Sequence, residues 1–189
     1  MKKKSFGPQT FLYPMPTVIV GAMVEGRPNF NTIACAGIAQ SKPPMIAVSM
    51  DKGRFTHGGI MTNKAFSVNI PSEEMVVVTD YIGFRSGSTV DKSDLFTVFY
   101  GKLGNAPMIE ECPVNMRCEL VTVTDFGGKN DLLVGKITES YAEEKYCTGG
   151  YPDIQKVKPF VFTWHDLNYW KIGENLGRTL SVGKTYDSR

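Results

Sequence analysis

The sequence predicts a mainly β protein, a closed or nearly closed β-barrel with a few short helices. Three observations point there: many short β-branched runs, proline-rich turns between them, and only two stretches with helical character. A doubly wound sheet would instead alternate each strand with a full helix. At 189 residues, and about 100 to 200 residues per domain, the chain is expected to be one domain spanning 1–189.

The first strand is Thr17 to Val24, bounded by Pro14 and Pro16 before it and by the turn Glu25-Gly26-Arg27-Pro28 after it. Thr32 to Ala39 and Met45 to Met50 give two more, separated by Gln40-Ser41-Lys42-Pro43-Pro44, whose prolines cannot donate ladder hydrogen bonds. Phe55 to Asn63 predicts a helix and Phe66 to Ile70 a strand ended by Pro71. Ser72 is then positioned to cap a second helix running to Tyr81-Ile82, with Glu73 and Glu74 in the first turn, where the helix dipole favours negative charge. Val114 to Thr124, Leu132 to Tyr141 and Phe160 to Trp164 are further strands. From Tyr169 the chain lacks core periodicity and is expected to wrap a surface or a partner subunit, with 173–189 a C-terminal extension.

Composition narrows the function. A net charge of +2, from 21 basic and 19 acidic residues, is too balanced for a dedicated nucleic-acid binder, so any anion site must be local. Prolines interrupt both the signal-like start after Met1-Lys2-Lys3-Lys4 and the uncharged stretch Ser5 to Val24, which predicts a soluble cytoplasmic protein with no membrane association. Cys35, Cys112, Cys118 and Cys147 form no C-x-x-C pair, as expected of reduced thiols. His57 and His165 lack ligand-spaced partners, so no metal centre is expected. Cys35 sits in an apolar small-residue run and reads as a buried hydrophobe, not a nucleophile. Gly177 and Gly183-Lys184-Thr185 mimic a P-loop with the wrong spacing and no following helix, and G-x-G-x-x-G is absent.

The informative segment is Ser49-Met50-Asp51-Lys52-Gly53-Arg54-Phe55-Thr56-His57, a strand end turning into a helix start with Lys52, Arg54 and Thr56 clustered. Helix-start amides and an arginine fork suit a phosphate. Before it runs Asn29-Phe30-Asn31-Thr32-Ile33-Ala34-Cys35-Ala36-Gly37, then Ser41, Pro43-Pro44 and the apolar strand to Ser49-Met50. That order of an asparagine, a small-residue strand, a serine, a proline pair, a second strand and a basic-x-threonine turn resembles the flavin reductase-like family, in particular its flavoredoxin branch. The resemblance extends from about Tyr13 to Gly173, through Arg85-Ser86-Gly87, Asp91-Lys92 and Gly149-Gly150-Tyr151-Pro152-Asp153-Ile154.

The resemblance implies a split-barrel homodimer binding FMN non-covalently, the ring lying near the subunit interface against the small-residue strand. The site implied comprises Asn31, Thr32, Ile33, Ala34 and Cys35 along that strand, Ser49 and Met50, the phosphate-binding Lys52, Arg54 and Thr56, and Lys92. Small residues let backbone amides approach a flat ring, and Asn31 and Ser49 can hydrogen-bond its edge or the ribityl chain. Trp164, Tyr169 and Trp170 are candidates for stacking. The activity implied passes electrons from NADH or NADPH through FMN to free flavin or a protein acceptor, with no catalytic side chain needed, because the cofactor carries the chemistry. Asn130 stands where many relatives carry a histidine, and asparagine cannot titrate. The rivals are a flavoredoxin-like electron carrier reduced by a partner protein, and a non-enzymatic module binding flavin, heme or pyridoxal phosphate.

Overall fold

The computed structural model describes residues 2–186. Strands β1 (Met15–Pro16), β2 (Val18–Val24), β3 (Arg27–Ile33), β4 (Ala36–Ser41) and β5 (Pro44–Asp51) lead into helix α1 (Phe55–Asn63) and strand β6 (Ala65–Ile70). A 3-10 turn at Glu73–Met75 opens helix α2 (Val76–Phe84). Two short strands, β7 (Val98–Tyr100) and β8 (Pro107–Ile109), precede the long pair β9 (Val114–Asp125) and β10 (Asn130–Ala142). Strands β11 (Cys147–Thr148) and β12 (Tyr151–Pro152), helix α3 (Ile154–Val157), and strands β13 (Phe160–Thr163) and β14 (Asn168–Lys171) follow.

Seven strands form one antiparallel sheet in the order β3-β2-β6-β9-β10-β5-β4. Its two edge strands, β3 and β4, are consecutive in the chain and joined by Ala34 and Cys35. The sheet therefore curls into a split barrel whose edges meet through the covalent chain. This corrects the expectation of one strand from Thr32 to Ala39: the run breaks at Ala34-Cys35, where the backbone leaves one edge and joins the other. The Cys35 carbonyl accepts from the Ser49 amide at 2.8 Å and so begins the new ladder.

Alternation along β2 explains its unbroken apolar run. Val18, Val20 and Ala22 face the barrel interior with Phe66, Val68, Cys118, Leu133, Val48 and Met50. Ile19 faces the outside, where Phe30, Ile109 and Ile82 of α2 form a second core. A strand buried on both faces shows no polar alternation. Gly21 is required here, because a Cβ would lie 2.5 Å from the Pro107 carbonyl and 2.6 Å from Ser67 Oγ, blocking the crossing of β8.

Helix α1 matches its expected bounds, while the second helix differs. Ser72 makes no side-chain cap; its backbone bridges Pro159, and the helix proper begins at Val76. After Tyr169, where the sequence shows no apolar periodicity of a core element, the largely exposed β14 pairs with β13 in a three-stranded sheet ordered β1-β13-β14. Four residues are too few to show periodicity, and the ladder partner supplies the order. A 3.0 Å ion pair from Lys171 to Glu73 ties this sheet to the start of the second helical segment. No helix among the described residues is long and apolar enough to cross a membrane.

Candidate functional site

The turn from β5 into α1 is fixed by Asp51. Its carboxylate accepts from the Gly53 amide at 2.8 Å and its carbonyl from the Arg54 amide at 3.0 Å. A hydrogen bond from Lys129 and the one from Gly53 hold the Asp51 carboxyl below its ordinary range. The turn delivers Arg54 and Thr56 against Asn29 and Asn31, which share one face of β3. Asn29 Nδ2 donates to Thr56 Oγ1 at 2.7 Å, and Arg54 Nη1 donates to the Gly83 carbonyl at 2.9 Å. Arg85, Ser86 and Gly87, just past α2, complete a small recess together with Lys92. A Cβ on Gly87 would collide with Asn29 and with the Phe55 ring, so glycine keeps the recess open.

Lys92 is the unusual member. It is only 2% exposed, and its ammonium donates to the carbonyls of Phe30 at 2.9 Å and Ile82 at 2.8 Å. Among the described residues no carboxylate lines the recess. Burial, with a further contribution from the Arg54 charge, pushes its pKa down to about 8. Beside it, Asn31 Nδ2 is buried with no hydrogen-bond partner among the described residues. Lys92 is a buried ion held only by neutral carbonyls, half-buried Arg54 adds a second positive charge, and the Asn31 donor is orphaned; burying such an ion without a counter-charge is costly, and an anion would offset that cost. The chemistry of the lining suits an anion.

An apolar cleft of about 230 Å³ lies next to the recess. Thr32 and Ala34 supply one wall, Gly83 and Phe84 a second, and Trp164 and Tyr169 a third. The recess and the cleft share the C-terminal end of α2, and the Arg54–Gly83 bond lies between them. The Thr32 hydroxyl donates to the Thr79 carbonyl, locking β3 to α2. Tyr169 Oη donates to Asp80 Oδ1 at 3.0 Å, and burial together with that carboxylate pushes its phenol up to about 12, so it stays protonated. Between β3 and β4 the amides of Ala34 and Cys35 donate to no acceptor among the described residues. Small side chains and free amides suit one face of a planar polar ring.

Comparison with known proteins agrees with this anatomy: residues 10–155 match the flavin reductase like domain. The chain belongs to the flavin reductase-like family. A flavoredoxin from Methanosarcina acetivorans superposes with a TM-score of 0.94 at 42% identity, covering 98% of this chain and 99% of that one. The flavoredoxin of Desulfovibrio vulgaris (Miyazaki F) gives 0.89 at 35% identity, over 96% and 100%. An FMN-binding protein from Thermus thermophilus, with bound p-hydroxybenzaldehyde, gives 0.79 at 27%, over 94% and 99%. The likeness places this member of the family next to its flavoredoxins.

Of the expected site residues in this flavin reductase-like chain, Asn31, Arg54, Thr56 and Lys92 meet at the recess and Thr32 and Ala34 at the cleft. Lys92 is not the solvated surface lysine its sequence context allows. Cys35 follows Ala34 in the chain and is half-buried, its thiol pushed up by burial and so held protonated. Ser49 Oγ accepts from Asn130 Nδ2 at 3.2 Å, beside the Cys35 carbonyl. Other expected residues place their side chains elsewhere. Ile33 and Met50 turn their side chains into the barrel core, because strand alternation sends them opposite to Thr32 and Ser49. Lys52 is held by the β9–β10 hairpin, at 2.7 Å from Asp125 and 3.7 Å from Asp131, and does not line the recess. Trp170 donates to Thr163 Oγ1 and does not line the cleft.

Asn29 and Phe84 line the recess and the cleft without being among the expected site residues, and Arg85 lines the recess as part of the Arg85-Ser86-Gly87 match. Asn29 was legible in principle, because it sits two residues before Asn31 on the same strand face. Phe84 carries no local signal; the end of α2 places it, together with Arg85. His57, read as an ordinary hydrogen-bonded histidine, has its Nε2 2.9 Å from Asp131 Oδ2.

Proposed function

We propose that this chain binds FMN non-covalently and acts as an oxidoreductase of the flavin reductase type. Electrons from NADH or NADPH pass through the bound cofactor to free flavin or a protein acceptor. The observation that carries the reading is Lys92, a buried cation with no carboxylate beside it, set against Arg54 and the orphaned Asn31 amide. A phosphate monoester satisfies all three, with charge-assisted hydrogen bonds roughly twice as strong as neutral ones. Thr32, Ala34 and the free amides of Ala34 and Cys35 then face the ring. Ser49 receives a donor from Asn130 and keeps its own O–H to offer to the ring edge. When bound, FMN supplies reversible electron uptake; the protein binds, orients and shields it.

A second reading, a flavoredoxin-like carrier reduced by a partner protein, is favoured by Asn130, which offers no titrating group beside Ser49. Anaerobic mixing with NADH or NADPH separates the two. Bleaching of the flavin absorbance is expected for the reductase; bleaching only with a protein donor assigns the carrier. The mass of the extracted chromophore checks FMN against heme or pyridoxal phosphate. Homodimer formation near the cleft is part of the same reading, and exposed Ile38 and Trp164 offer apolar surface for it. Replacing Ala34 with Leu is expected to abolish uptake of both FMN and riboflavin while the chain still folds, since the cleft wall and not the core is altered. Equal flavin uptake by the Ala34→Leu protein and the wild type would remove Ala34 from the ring site.

A further inference from the structure

Two threonine hydroxyls, Thr17 Oγ1 and Thr79 Oγ1, are buried with no hydrogen-bond partner among the described residues. The two residues are 3% and 0% exposed. A hydroxyl so enclosed costs folding free energy, because it has left its bonds to water and gained none in the protein. One difference separates them: Thr17 lines the apolar cleft and Thr79 does not. Thr79 sits on α2, where its carbonyl accepts from Thr32 while its own hydroxyl stays enclosed. Thr17 immediately precedes β2. The β2–β3 ladder pairs Ile19 with Thr32 and Val18 with Ile33, and one step further along lie Thr17 and Ala34, both on the cleft wall. The amides of Ala34 and Cys35 also donate to no acceptor among the described residues. Three unspent hydrogen-bonding groups therefore stand at the ends of two paired strands.

We infer that the Thr17 hydroxyl is a hydrogen-bond partner of the polar edge of the flavin ring, and that binding the ring relieves the cost of its burial. The inference rests on the FMN reading of the cleft. A hydroxyl both donates and accepts, so it can serve a ring carbonyl or a ring N–H, whereas the neighbouring amides only donate. Thr17 thus lowers the stability of the apoprotein and raises its affinity for the cofactor. Thr79, enclosed away from the cleft, does only the first.

Valine keeps the shape of threonine and removes the hydroxyl, so it separates the two effects. Thr17→Val is expected to bind FMN and riboflavin about 5- to 10-fold more weakly, by the same factor for both because the phosphate is untouched. The visible absorption bands of its bound flavin should be displaced from those of wild type, a change that a purely structural residue does not produce. Its apoprotein should unfold in urea at a midpoint no lower than that of wild type. Thr17→Ser retains the hydroxyl and should keep flavin affinity within about threefold. Thr79→Val should also unfold at a midpoint no lower than wild type, with flavin affinity within about twofold. Wild-type affinity and spectrum in Thr17→Val overturn the inference. So does a loss confined to FMN, which assigns Thr17 to the phosphate, or a lowered urea midpoint, which gives the hydroxyl a partner within the protein. Equal flavin losses in Thr17→Val and Thr79→Val overturn it by assigning both to the packing of α2. A wild-type protein that takes up neither flavin removes the cofactor reading itself, a result distinct from all of these.

Discussion

Arg54→Ala is expected to weaken FMN binding by about 10- to 100-fold while leaving riboflavin binding nearly unchanged. One charge-assisted hydrogen bond in a half-buried recess is worth about 1.5 to 3 kcal/mol, and each 1.4 kcal/mol is a factor of ten. Riboflavin has the ring and the ribityl chain but no phosphate, so it never gains the interaction that Arg54 supplies. Equilibrium titration of flavin fluorescence reads both ligands in the same protein. An equal loss for the two would show that Arg54 acts through the Gly83 carbonyl, by positioning the cleft wall, and not through the anion. Lys52→Ala serves as the contrast: its ammonium is committed to Asp125 and Gly128, so FMN affinity should change little.

Lys92 predicts a pH signature with two opposite slopes. Its pKa in the folded chain is lowered to about 8, below the value of about 10.4 in an unfolded chain. Between those values the unfolded chain holds the proton and the folded apoprotein does not. The contribution of Lys92 to apoprotein stability therefore rises as pH passes from about 8 toward 10. A phosphate beside the ammonium favours the charged form, so FMN affinity should fall over the same interval. In Lys92→Met both slopes should disappear, and FMN affinity should be low at every pH. Urea denaturation of the apoprotein and flavin titration, each from pH 7 to 10 in wild type and variant, measure the two slopes. Parallel pH profiles in wild type and Lys92→Met would assign the titration elsewhere and detach Lys92 from the phosphate.

These effects depend on groups that differ in how visible they are along the chain. Arg54 and Thr56 are legible because a strand end, a glycine turn and a helix start are all local events, and the helix occupies Phe55–Asn63 as expected. Thr32 and Ala34 are legible as small residues in a strand. Lys52 looks equivalent to Arg54 in sequence, yet a hairpin some 75 residues away captures its charge. Ile33 and Met50 send their side chains into the core by strand parity, since one residue along the chain exchanges one face for the other. The break at Ala34-Cys35 was hidden because an apolar run reads the same whether it stays on one sheet edge or crosses to the other.

The chain by itself determined the mainly β architecture, the positions of the principal strands and the first helix, and the placing of a basic turn at a helix start beside a strand of small residues. Each of those follows from interactions spanning a few residues. Tertiary structure alone decided that Lys92 is buried without a counter-charge, that the end of α2 brings Arg85 to the same recess, and that β13 and β14 wall the cleft with Trp164 and Tyr169. Burial and electrostatic pairing are set by groups distant in sequence, so no local pattern can report whether a given lysine ends in water, on a carboxylate, or waiting for a phosphate.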